Sequence, residues 1–236
     1  MRDPSPRAPF DQGLFLKHFN KGKAHYDEKR FEDAERELEE AYLLRPRDQK
    51  VLNLLGLVYF KQDKFEKAEE VYRKLIAESP DAHTLFYNLG LIYQKMGDLT
   101  KAIAMEKKAL EVNPALVMAY YSLAGFYFES GQYEESAEAF QKFLKIYPYF
   151  PEVHNLLAVA YMAQKKFDKA VRELEWEIKI SPTYSLAHLN LGQVYWYEFQ
   201  NKQKALYHLK MALMLDPLLP NRREIGGLVR LLEGLP

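Results

Sequence analysis

His18, His154 and His188 are the residues best suited to chemistry, because the intervals between them, 136 and 34 residues, are multiples of 34. Imidazoles on adjacent copies of one element can share a metal ion or pass a proton. Neither His154 nor His188 has an obvious third ligand on its own helix face, and the same step leads to Leu52, Phe86 and Tyr120. The competing reading is therefore a large packing residue. The chain has no cysteine, which removes disulfides, thiolate metal sites and thiol catalysis. A Gly-rich phosphate loop, a Gly-x-Ser-x-Gly elbow and a His-Glu-x-x-His pair are all missing. We expect no enzyme, no cofactor and no metal.

The elements that carry these histidines recur. Gly22, Gly56, Gly90, Ala124, Ala158 and Gly192 stand 34 residues apart, each followed three residues later by a ring: His25, Tyr59, Tyr93, Tyr127, Tyr161 and Tyr195. Twelve residues after the small position comes Ala34, Ala68, Ala102, Ser136 or Ala170, and Ala205 after one inserted residue. Pro46, Pro80, Pro114, Pro148, Pro182 and Pro217 close the units. This pattern resembles the tetratricopeptide repeat, in six copies: 15–48, 49–82, 83–116, 117–150, 151–184 and 185–219. The resemblance implies an all-α fold, a right-handed α-solenoid of helix-turn-helix units.

Within one copy, Leu52, Leu55, Gly56 and Tyr59 share a face of a first helix, and Phe65, Ala68, Tyr72 and Leu75 share a face of a second. A hairpin this short cannot bury both faces alone, so each copy must stack on the next. Gly97-Asp98 and Gly131-Gln132 mark inner turns. The inserted residue falls in the inner turn of the sixth copy, within Tyr197 to Lys202. Residues 1–14, with three prolines and no helical period, read as a mobile arm. Residues 220–236 place Ile225, Leu228, Val229 and Leu232 on one side and read as a capping helix.

Charge narrows the partners. The 33 basic residues balance 33 acidic ones, which removes a bulk attraction to nucleic acid or an anionic membrane. No apolar run is long enough to span a bilayer, and the first residues lack the apolar core of a signal peptide, so a cytoplasmic location is expected. Glu177 breaks the pattern, standing beside Trp176 where other copies carry Ala41, Ala109 or Ala212. A carboxyl group there reaches solvent or marks a rotated helix.

In proteins this chain resembles, first helices line a concave groove that holds ligand peptides at repeat positions 2, 5, 9, 12 and 13. Here those positions supply Phe19, Tyr26, Phe60, Tyr87, Tyr121, Phe128, Trp196 and Tyr197, together with Leu16, Leu57, Leu91, Met118, Val159, Met162, Leu186 and Leu189. A merely solvated face would be mostly charged, so the stripe reads as a recognition surface. Asn53 and Asn155 at position five, and Asn20, Asn88 and Asn190 at position six, offer donor and acceptor groups to a peptide backbone or to neighbouring helices. The position-six asparagines are similar to the Asn ladder of protein-glycosyltransferase repeats. The carboxylate clamp of chaperone-binding relatives does not carry over, since Phe19 and Lys23 stand at its places on the first helix and Tyr87 and Leu91 at those of the third copy. Lys23, Lys50, Lys61 and Lys95 lie near one end of the groove and leave a weaker acidic preference open. Two functions remain: a scaffold holding a protein or peptide partner in the groove, and a self-assembling structural protein forming homo-oligomers through its terminal repeats or arm.

Overall fold

The computed structural model describes residues 11–219 and 221–234. Among these residues all regular structure is helical: α1 (Gln12–Asp27), α2 (Phe31–Leu44), α3 (Gln49–Lys61), α4 (Phe65–Glu78), α5 (His83–Lys95), α6 (Leu99–Val112), α7 (Val117–Glu129), α8 (Tyr133–Ile146), α9 (Val153–Ala163), α10 (Phe167–Ile180), α11 (Ser185–Tyr197), α12 (Lys202–Leu215) and α13 (Arg222–Glu233). They form two compact units, whose boundary falls within α7 between Ala119 and Tyr120. None of the described helices is long and apolar enough to cross a membrane.

The small residue of each first helix has a specific neighbour. A Cβ at Gly22 would lie 2.6 Å from Leu38 Cγ, one at Gly56 2.7 Å from Tyr72 and one at Gly192 2.8 Å from Leu209. The hairpin closes because a large second-helix side chain lies directly on the first-helix backbone. Ala34, Ala68, Ala102, Ala170 and Ala205 complete this contact at 0% exposure. In α8 the equivalent Ser136 is also buried, and its hydroxyl donates to the Ala124 carbonyl at 2.8 Å.

Both ends of the hairpin have backbone causes. Arg45 and Ser79, which end α2 and α4, sit at φ −138° and −141°, because the following proline disfavours helical geometry for the residue before it. The inner turns carry one left-handed residue each: Lys29, Asp63, Gly97, Gly131, Lys165 and Gln200. Only two of the six are glycine, so the turn's geometry was hidden behind ordinary residue types. In the sixth copy the turn runs from 198 to 201, one residue longer than 164–166 in the fifth.

The termini differ in part from expectation. α1 starts at Gln12 because the Asp11 side chain accepts from Leu14 N at 2.9 Å, so the helix takes in residues 12–14, assigned above to the arm. The rest of that arm, residues 1–10, lies outside the described residues. At the other end α13 packs on α12 and buries Ile225, Val229 and Leu232.

Candidate functional site

The three histidines point into their own hairpins. His18 Nδ1 lies 2.7 Å from Glu37 Oε2, His154 Nδ1 lies 2.7 Å from Glu173 Oε2, and His188 Nδ1 lies 3.0 Å from His208 Nδ1. These are one register, with the repeat-six partner displaced by the insertion. His154 Nε2 also contacts the Pro148 carbonyl at 2.9 Å. Burial lowers the basicity of His154, but Glu173 and Pro148 outweigh it and raise its pKa. His208 goes the other way, to about 4, through burial and the nearby His188 and Lys204. His154 and His188 are thus each engaged by a second helix. No three His, Cys, Asp or Glu side chains converge on a metal position among the described residues.

In the N-terminal unit, Phe19, Tyr26, Leu57, Phe60, Tyr87 and Leu91 are all half-buried, with one flank packed and the other facing solvent. In the C-terminal unit, Tyr121, Phe128, Val159, Met162 and Trp196 are half-buried and Tyr197 is 63% exposed. Several of these rings are held from behind. Tyr26 meets Phe31 at 5.9 Å, Phe60 meets Phe65 at 6.0 Å and Phe128 meets Tyr133 at 5.2 Å, each pairing the end of a first helix with the start of the second. Tyr121 leans on Phe140 and Phe143. Rings fixed in this way lose little freedom when something covers them.

The asparagines behave differently. Asn190 Nδ2 donates to Asn155 Oδ1 at 2.8 Å, and Asn155 is only 4% exposed. This pair is a strut between α11 and α9, so Asn155 belongs to packing and not to an accessible surface. Asn88 Nδ2 donates to the Tyr72 hydroxyl at 3.1 Å, while Asn53 remains half-buried on the stripe.

Charge is unevenly placed. First helices α1, α3 and α5 carry Lys17, Lys21, Lys23, Lys50, Lys61 and Lys95 against one acid, Asp27. In the other unit α9 and α11 carry no Asp, Glu, Lys or Arg at all.

Sequence reasoning missed two carboxyl roles. Glu177 neither reaches solvent nor rotates its helix: it is 0% exposed, with Oε1 accepting from Glu152 N at 2.9 Å and Oε2 from Asn155 N at 3.3 Å. It caps α9, whose own N-cap residue, Glu152, is left-handed and makes no side-chain cap. Glu106 is also 0% exposed, yet neither oxygen has a partner, and burial pushes its carboxyl up to about 9. Its register is held elsewhere by Leu38, Tyr72, Phe140, Leu174 and Leu209, and that apolar column was the signal available.

The repeated geometry has a counterpart in known proteins. A tetratricopeptide repeat family model matches residues 19–83, 87–151 and 155–220. The chain belongs to the tetratricopeptide repeat (TPR) family. Among solved structures, this TPR chain is similar to PilF of Pseudomonas aeruginosa, with 16% identity and TM-score 0.70 over 91% of this chain and 97% of PilF. It is similar to MamA of Desulfovibrio magneticus RS-1, with 18% identity and TM-score 0.66 over 71% of this chain and 94% of the other. It is likewise similar to YrrB, described as a TPR protein with an unusual peptide-binding site, with 20% identity and TM-score 0.64 over 75% and 91%. At these identities the likeness is one of fold. No curated protein sequence is significantly similar.

Proposed function

We propose that this TPR protein is a non-catalytic scaffold that holds a protein or peptide segment against its first helices. The observation that carries this reading is the stripe of half-buried rings and aliphatic side chains on those helices, backed by the packed rings of the second helices. Such side chains dominate binding when a partner completes their burial. Peptide binding in YrrB supports the same use of the fold. The test is capture of partners from a lysate by Tyr121→Ala combined with Phe128→Ala, and separately by Met162→Ala with Tyr197→Ala. Both pairs should lose capture while retaining helical circular dichroism, and Glu111→Lys, exposed on α6, should not. Full capture by both pairs would overturn the reading.

A second reading, self-assembly, is favoured by Met214, Leu218 and Leu231 around α12 and α13, which are 67%, 91% and 68% exposed. Light scattering separates the two: a monomer supports the groove and a defined oligomer supports assembly.

A further inference from the structure

The lysines of the N-terminal unit differ in what they meet. Lys64, Lys67, Lys74 and Lys101, in or beside the second helices, each hold a carboxyl group: Lys64 and Lys67 meet Glu35, Lys74 meets Glu70 at 2.7 Å and Lys101 meets Asp98 at 2.7 Å. On the first helices, among the described residues, only Lys21 of the lysines has such a contact, with Glu37 at 3.7 Å. Lys23, Lys50, Lys61 and Lys95 are exposed and make no ion pair among the described residues. Lys61 Nζ lies 6.0 Å from the centre of the Phe60 ring, itself part of the stripe; an exposed cation without a carboxyl partner contributes little to stability.

Their register is not random. At roughly 100° per residue, Lys50, Leu57 and Lys61 fall within about 40° of one another on α3. The same measure places Lys23 about 40° from Phe19 on α1 and Lys95 about 40° from Leu91 on α5. Four ammonium groups without an ion pair among the described residues are therefore interleaved with the apolar stripe. Lys17 is turned about 120° from Lys23 and lies off it. Asp27 is the only acid on these three helices.

We infer that the first helices of the N-terminal unit select an acidic peptide segment, whose Asp and Glu side chains meet Lys23, Lys50, Lys61 and Lys95 while its apolar side chains cover the stripe. The inference rests on the scaffold reading and adds the partner's chemistry to it. The cations are spread over three helices and do not converge on one point, so they match carboxyl groups distributed along a segment; a free chain terminus is not needed. Charge complementarity of this kind gives selectivity and salt dependence.

The experiment is fluorescence polarisation of the full chain with a labelled, C-terminally amidated twelve-residue peptide of Glu, Leu, Tyr and Gly, and with the same peptide carrying Gln for Glu. Expected results are at least tenfold tighter binding of the Glu peptide, loss of that advantage at high salt, and no gain from a free terminal carboxylate. Lys50→Glu with Lys61→Glu and Lys95→Glu should reduce affinity at least tenfold, while Lys17→Glu leaves it unchanged. All these sites are exposed, and circular dichroism checks the fold. Equal binding of the Glu and Gln peptides, an unaffected triple variant, or no binding of the Glu peptide would each overturn the inference. Equal binding that is lost in Phe60→Ala with Tyr87→Ala would keep the scaffold reading and remove only the acidic preference. Equal binding untouched by those ring substitutions would remove both.

Discussion

The Tyr59 hydroxyl donates to Glu39 Oε1 at 3.0 Å, tying the first helix of one repeat to the second helix of the repeat before it. The same step of twenty residues joins Tyr93 to Arg73, Tyr161 to Gln141, and Tyr195 to Glu175. In these four repeats the marker ring is thus a latch to the repeat before as well as a core residue. We expect Tyr59→Phe to cost about 1 kcal/mol in urea unfolding, the usual net value of one such bond. Glu39→Ala, which removes the acceptor, should cost a similar amount, and the two changes together should cost less than their sum.

Glu106 makes stability fall as pH rises. In the unfolded chain its carboxyl releases a proton near 4.5, whereas in the fold it keeps that proton to about 9. The folded state therefore binds more protons between these values, and stability declines across that window. Glu106→Gln should flatten this slope in thermal melts from pH 5 to 9. Glu106→Leu should gain about 1–3 kcal/mol, since an unpaired buried polar group is replaced by the side chain that Gly22 already accommodates as Leu38. A wild-type pH dependence in the Gln variant would show that another group sets the slope.

Lys165 holds a φ of 59° in an inner turn where Gly97 and Gly131 do the same without a Cβ. Lys165→Gly should stabilise by roughly 0.5–1 kcal/mol, the relief of left-handed strain less the entropy lost by glycine. Gly131→Lys should shift the melting temperature the opposite way.

Deleting residues 221–236 removes the helix that buries Ile225, Val229 and Leu232 against α12. We expect a lower melting temperature and concentration-dependent aggregation, because a terminal repeat without a polar outer cover exposes its apolar face. An unchanged, monomeric melt would show that α13 is not a cap.

The repeats were legible because one packing problem recurs: wherever Leu38, Tyr72 or Leu209 lies on a first helix, the sequence must supply glycine opposite. The six-copy frame follows from spacing, and the apolar stripe from the repeat positions that the family resemblance implies. The histidine partners did not, although Glu37, Glu173 and His208 stand nineteen, nineteen and twenty residues on, because a side chain's direction depends on the hairpin being closed. Glu177 was opaque for a different reason. Its role depends on a missing cap at Glu152, a backbone property that residue types at 149–152 do not announce.

Glu177 also bears on how such a chain can be rebuilt. Repeats that meet only their neighbours invite duplication and exchange, and a break between α9 and α10 looks like a natural seam. Yet the amides that Glu177 accepts from sit on α9 and its leading residue, while the carboxyl group sits on α10. Moved to another hairpin, α10 would bury a carboxyl group with nothing to bond, as α6 already does at Glu106. The fifth repeat has therefore to be moved whole: its two helices are a matched pair, and recombination that separates them leaves one half without its counterpart.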